Sequence, residues 1–434
     1  MLLIHTPVIT PRTEYVFSHM LGTVLGLGWQ LTSDRQAWEA FGGPKCTYGG
    51  QPAENIPHFA SAGLLESTGL DETPDPGPAV RDGQPSLFGI SGGCLPFDPF
   101  SAGFWMLSRY EEWLPFEEDP WHRFPPEASL AGRHGWTGRP LVDEWALQVW
   151  EKLKARYPRL ERKKPAYRFL PTVDVDMAWA YRHKGFWRNA GGLARDLLRG
   201  SAADAVQRLK VLLRLVGDPF FTFPYLEQLE KETGLKHLYF ILIGDYGRYD
   251  KNISHRKQAF RALIRQLDRQ ASTGLHPSLG TWQNPARLSR EAARLEAITG
   301  RAPARSRQHY LLIRFPDTPR ALLANEIRED YSLGYTSAMG FRSGTSHPHP
   351  WFDLEHNRTE NLTLYPLNIM DASLQYYLKL TPEQAPDACR PVIEQVKKHG
   401  GTLVTLFHNN SLSEQKEWTG WRKVYEQIIL QAAS

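Results

Sequence analysis

Two aspartates one residue apart, Asp174 and Asp176, close the run "YRFLPTVDVD", and "MAWAYRHKG" follows them. An apolar extended run has no packing reason to finish in alternating carboxylates. Side chains alternate across a strand, so one of the pair must leave strand geometry if both are to serve one site. The chemistry such a pair offers is a general base and a metal ligand: Asp174 to take a proton from water, Asp176 to hold a divalent cation. His276, in "TGLHPS", adds an imidazole, a usual partner of carboxylate around zinc and other transition metals. His408, in "TLVTLFHNN", can protonate a leaving amine. Turn capping or a core hydrogen bond would explain any one of these residues. Four of them on one face favour a site.

That face comes from the elements around them. From about residue 168, seven short strand-like runs recur: "RFLPTVDVD", "HLYFILIGD", "TGLHPS", "RSRQHYLLI", "YSLGYT", "LTLYPLNIMD" and "TLVTLFHNN". Helical periods in "SHRKQAFRALIRQLDRQ", "PARLSREAARLEAI", "PDTPRALLANEI" and "TPEQAPDACRPVIEQVKKHG" separate most of them. In the last segment Thr381 reads as N-cap, with Pro382 first in the helix. Strands alternating with helices predict parallel pairing, and seven such units predict a barrel. Asp174, Asp176, Asp245, His276 and His408 then fall at strand ends, on the face where parallel barrels build their sites. His309 and Asp371 lie near the ends of the fourth and sixth runs.

Residues 1–160 read as a separate, smaller α/β module and 161–434 as the barrel. In the module, "MLLIHT" and "GWQLTSD" are strand-like and "RTEYVFSHMLGTVLG" is helix-like. Residues 68–87 are a loop by composition, and Asp98-Pro99 starts a helix. Glu111 and Glu112 are adjacent, so they face different sides and make a poor acid/base pair.

Composition bounds the function. The 434 residues carry a net charge of +4, too small to argue for a nucleic-acid partner. Charge is concentrated locally: from Arg182 to Arg214 there are eight Lys/Arg against two acids, on an amphipathic helical pattern. A solvated helix face, an anionic glycan or a membrane surface would each suit it. Three separated cysteines make neither a disulfide framework nor a cysteine-based zinc site. The start of the chain lacks a signal-peptide pattern and no run is long enough for a membrane span, so the expected location is cytoplasmic.

The part from about 168 to 415 resembles the NodB-type polysaccharide deacetylases. "TVDVD" is similar to their first motif, "GLHPS" to the second at its first histidine, "RQHY" to the arginine motif, and "LVTLFH" to the histidine motif. "LSRYEEWLPF" and "GRPLVDEW" resemble the companion region of a bacterial subgroup with an extra N-terminal module. The resemblance implies a distorted (β/α)7 barrel and a deacetylase-like hydrolase of amide bonds that binds a divalent metal, with zinc expected. It implies Asp174 as base, Asp176 and His276 as metal ligands, Arg307 orienting Asp174, and His408 as acid. Gly280 stands where the family carries a second histidine, and His309 replaces the proline of "RQHY". His309 is therefore the expected third ligand. Asp245, Tyr246, Asp250 and Asn252 in "GDYGRYDKN", with Arg342 and Asn409, are the expected contacts to a carbohydrate or small amide. His347 and His349 share a Gly/Pro-rich loop and are expected to face solvent. The departures keep two other readings open: a glycan-binding protein without turnover, and a metal-independent amidohydrolase.

Overall fold

The computed structural model describes residues 1–70, 75–77, 80–81, 84–270 and 273–433. Parts of the Pro/Gly-rich loop read over 68–87 lie outside the described residues.

The N-terminal part is built on four parallel strands: β1 (Leu2–His5), β2 (Trp29–Thr32), β3 (Lys45–Tyr48) and β4 (His58–Phe59), in the order β2-β1-β3-β4. A two-stranded ribbon follows, β5 (Val80–Arg81) with β6 (Gln84–Pro85). Helix Pro99–Leu107 starts where the sequence places it: the Asp98 carboxylate accepts from the backbone N–H of Phe100 and Ser101.

The second part holds β7 (Arg168–Val175), β8 (Leu238–Leu242), β9 (Thr273–His276), β10 (Arg305–Ser306), β11 (Glu329–Leu333), β12 (His349–Asp353), β13 (Arg358–Pro366), β14 (Ile369–Met370) and β15 (Thr402–His408). They form one curled sheet in the order β12-β13-β11-β10-β9-β8-β7-β15-β14, parallel throughout except for the β12–β13 pair. The expected sixth run does double duty. Its first part pairs with β11, its last part with β15, and the Leu367 and Asn368 amides bond Leu333 and Val404 carbonyls across the gap. One run thus bridges both ends of the parallel array. The antiparallel strand β12 was not expected from the sequence, since its segment carries two prolines beside the histidines.

Strand alternation sorts the side chains. Val173, Val175, Tyr239, Ile241, Leu403 and Phe407 pack against the surrounding helices. Phe240, Val404 and Leu406 point the other way, into the barrel. Thr172, Asp174, His276 and His408 share that inward parity. Gly274 permits this packing, because a Cβ there would meet the Phe240 ring at 2.7 Å.

The two parts are tied together. Phe352 and Leu354, within the β12–β13 hairpin, pack in the N-terminal core, and Asp143 accepts from Thr345 and from the amide and hydroxyl of Ser346. The helix expected from Thr381 begins later, at Ala385; residues 381–384 form a turn in which Gln384 accepts from the Thr381 amide. The basic stretch is a pair of helices, Phe186–Leu198 and Ala202–Leu212, rather than one.

Candidate active site

At the C-terminal end of the barrel lies a cavity of about 230 Å³, lined by Asp174, Asp176, His276, His309 and His408 among others. Register sets the grouping. His408 is opposite Asp174 on the neighbouring strand, and His276 ends β9 beside Leu242. Arg307 follows β10 and bonds the Leu275 carbonyl through its amide. Asp176 lies one residue past the end of β7, free of strand geometry, so it reaches the same space as Asp174.

Asp174 is buried and held from one side. Its Oδ1 accepts from Arg307 Nη1 at 3.0 Å. The same guanidinium donates to the Thr172 hydroxyl and, through Nε, to the Tyr331 carbonyl, and it lies 4.6 Å from the Phe240 ring centre. Such a forked, packed arginine fixes the carboxylate's orientation rather than merely balancing its charge.

Asp176 is surrounded by imidazoles. Its carboxylate lies 3.2 Å from His276 Nε2, 3.5 Å from His309 Nε2 and 3.8 Å from His408 Nε2. The outer nitrogens decide the tautomers. His276 Nδ1 faces the Arg307 carbonyl, and His309 Nδ1 faces the Asp250 carboxylate at 2.8 Å. Both partners only accept, so both Nδ1 atoms carry the proton, and with Nε2 unprotonated each ring would aim a lone pair at Asp176. His276 Nε2 and Asp176 Oδ1 are buried and have no hydrogen-bond partner outside this cluster. Lone pairs converging on a carboxylate repel unless a proton or a cation lies between them. With protons alone, burial opposes the charge but Asp176 and Asp250 push His309 up to about 9. Burial likewise opposes the charge on Asp176, yet the facing histidines hold it well below the usual carboxylate range. Asp176, His276 and His309 can hold a metal ion, their donor atoms lying within 4.8 Å of one another. The donor set of two imidazoles and a carboxylate, with Nδ1 atoms anchored from outside, fits a divalent transition metal.

His408 is held differently. Its Nδ1 lies 2.9 Å from Asp371 Oδ1, and its backbone amide donates to the other oxygen of that buried carboxylate. Burial works against the imidazolium, but Asp371, then Asp176 and Asp174, push His408 up to about 10. An imidazole so held takes up a proton more readily than a free one.

The substrate contacts fall elsewhere. Asp245 is exposed and pairs with Arg294 at 2.9 Å. Tyr246 lies under the Arg188 guanidinium in a different groove. Asn409 is buried and donates to the Met177 and Phe220 carbonyls, fixing the loop after Asp176. Asn252 ties the Gly244 carbonyl. Arg342 sits at the junction of the two parts, its Nε and Nη2 on Glu112 and its Nη1 on the Gly334 carbonyl. None of these lines the cavity, because each polar group is taken up by local backbone or a distant carboxylate. His347 and His349 are buried, not solvent-facing, with His349 between Tyr15 and Ser343.

The sequence reading missed Arg123 and Trp121 and the roles of two residues it had noted. Asp250 and Asp371 were noted, but not as anchors of His309 and His408. Arg123 comes from the N-terminal part, pairs with Asp119 at 2.6 Å, and reaches the cavity wall by donating to the Tyr310 carbonyl and the Tyr377 hydroxyl. Trp121 stacks on Tyr310, ring centres 4.8 Å apart. Tyr310 closes the "RQHY" stretch, whereas Trp121 had no sequence signal beyond composition.

Residues 2–158 match a family of unknown function, DUF7033. No curated protein matches the chain. Among solved structures, one described as a polysaccharide deacetylase from Mycobacterium smegmatis is similar at 16% identity and TM-score 0.42, over 63% of this chain and 85% of that one. A polysaccharide deacetylase from Bacillus cereus aligns at 11% identity and TM-score 0.29, over 62% and 86%. The PuuE allantoinase aligns at 9% identity and TM-score 0.38, over 60% and 83%. These likenesses are distant, and the chemistry below rests on this chain's own side chains.

Proposed function

We propose that the protein is a deacetylase-like hydrolase that removes an acetyl group from an N-acetylated sugar or a related amide. The observation that carries this reading is the convergence of two anchored imidazole lone pairs on Asp176, beside a separate base and a separate acid. Asp176, His276 and His309 would hold a divalent cation, zinc by donor preference. Such a cation supplies Lewis acidity, polarising the amide carbonyl and making the attacking water more acidic.

The chain's own groups do the rest. Asp174, oriented by Arg307, takes the proton from water as it attacks the carbonyl carbon. His408, charged and held by Asp371, delivers a proton to the amine nitrogen as the C–N bond breaks. Base and acid are given different partners: an arginine orients the Asp174 carboxylate, and a carboxylate raises the proton affinity of His408. Tyr310 on the cavity wall, stacked on Trp121 and with Arg123 beside it, suits a sugar face and its hydroxyls. The N-terminal part would then shape the entrance.

The test is acetate release from a panel of N-acetylated hexosamine oligomers, and ring opening of small cyclic amides, by the zinc-loaded full chain. Acetate appearing one-for-one with free amine supports the reading. Saturable binding of the same sugars with no acetate or amine from any of them would mean a binding protein without turnover. Ring opening of a cyclic amide by the metal-stripped chain would favour metal-independent amide hydrolysis.

A further inference from the structure

Ten of the nineteen large apolar side chains exposed among the described residues fall between positions 186 and 216. This stretch is the helix pair Phe186–Leu198 and Ala202–Leu212 with its flanks. Trp187 is 84% exposed and Leu198 87%, and Phe186, Leu197, Leu213 and Leu215 are exposed with them. No residue of the pair belongs to the barrel's core cluster. An apolar face of this extent on a protein surface marks a place where something docks.

Charge says what docks. The eight basic residues from Arg182 to Arg214 are interleaved with the apolar ones: Arg188 follows Trp187, Arg199 follows Leu198, and Arg214 stands between Leu213 and Leu215. The two acids are already used, Asp196 by Arg208 at 2.8 Å and Asp204 by Lys416 at 2.9 Å. Apart from Arg208, none of the eight forms an ion pair among the described residues. A second copy of the chain seated on this face would set these cations against their own equivalents. A polyanion would satisfy the cations and leave the apolar side chains in water. An anionic lipid surface satisfies both: apolar side chains enter the headgroup–acyl boundary while Lys and Arg meet the headgroups.

We propose that the helix pair 186–212 is a peripheral membrane-docking element that seats the protein on anionic lipid. Its position gives this a consequence. Between the pair and the barrel runs a groove of about 800 Å³, lined by Lys184, Trp187, Arg188 and Tyr376 among others, and Tyr376 also lines the catalytic cavity. Docking would bring the cavity mouth close to the lipid surface. No described helix is long and apolar enough to cross the membrane, so attachment is peripheral and reversible.

The experiment is co-sedimentation of the full chain with vesicles of phosphatidylcholine alone and of phosphatidylcholine with a minority of phosphatidylglycerol. The chain is expected to pellet with the anionic vesicles only, and less as salt is raised. Trp187→Ser/Leu198→Ser/Leu213→Ser and Arg195→Glu/Arg199→Glu/Arg214→Glu should each lower the partition coefficient at least about tenfold. Both change exposed residues, so thermal melting should match the wild type, and Leu430→Ser on a distant exposed site should bind normally. A wild-type chain that stays in solution with anionic vesicles overturns the proposal. So does an apolar triple variant that binds them as well as wild type, which would make the surface a polyanion site. So, too, does a wild-type oligomer, seen by light scattering, that the apolar variant converts to monomer.

Discussion

Two of the buried charge clusters in this molecule behave oppositely. At the junction of the two parts, Glu112 takes Arg342 at 2.6 Å and Arg109 at 2.7 Å, and the Arg109 guanidinium also reaches the Arg342 carbonyl. Burial opposes the Glu112 charge, but the two arginines bring its proton affinity below the ordinary value. That carboxylate is spent inside the fold. In the barrel, Asp176 Oδ1 and His276 Nε2 lie 3.2 Å apart, have no hydrogen-bond partner outside the cluster, and point into a cavity. Burial of charge therefore does not mark a site; unmet bonding capacity aimed at open space does.

Variants can break this contrast. The largest expected effect is at Asp174→Asn, which keeps the shape but removes the base. Turnover should fall about 10³-fold or more with metal content and melting temperature nearly unchanged. Unaltered turnover would remove Asp174 from the chemistry. At the junction the reverse is expected: Glu112→Ala strands Arg342 and Arg109 and should cost about 3–5 kcal/mol of stability, read by chemical denaturation, while the folded fraction keeps its kcat. Loss of kcat with stability intact would contradict the structural role.

A smaller effect separates acid from ligand. Asp371→Asn should lower turnover about 10–100-fold. His408 acts as an acid only below its own pKa, so activity is lost as pH rises through about 10. In the variant the alkaline limb should move down toward the ordinary histidine value of 6.5. An unmoved limb would assign it to another group. The smallest effect concerns His349 at the junction, which burial lowers to about 4. The unfolded chain binds that proton more tightly, so stability should fall as pH drops from 6.5 toward 4, by about 3 kcal/mol from this group. His349→Gln should flatten that fall in pH-dependent melting.

Much of the barrel was legible because its signals are local. Period-two runs separated by helical periods give parallel strands, and "DVD" at a strand end states its own conflict with packing. His408 and Asp371 were readable for the same reason: each closes or follows a strand. Arg342 was misread because the residue that takes it, Glu112, lies 230 positions earlier in the chain. Nothing in a Gly/Pro-rich loop announces that another part of the molecule will cover it, and His347 and His349 were missed in the same way. Asp245 closes a strand-like run in the sequence as Asp176 and His276 do, but β8 ends three residues before it and its carboxylate turns to Arg294. Arg123 reaches the cavity from the other part, through contacts no periodicity encodes.

The proposed metal centre is Asp176, His276 and His309. It is tested by metal analysis of the purified full chain after incubation with zinc and exhaustive dialysis, with Asp176→Ala and His309→Ala alongside. About one zinc per wild-type chain and little in either variant is expected, all three remaining folded. A wild type that retains no metal, or a His309→Ala variant that retains all of it, would contradict the claim.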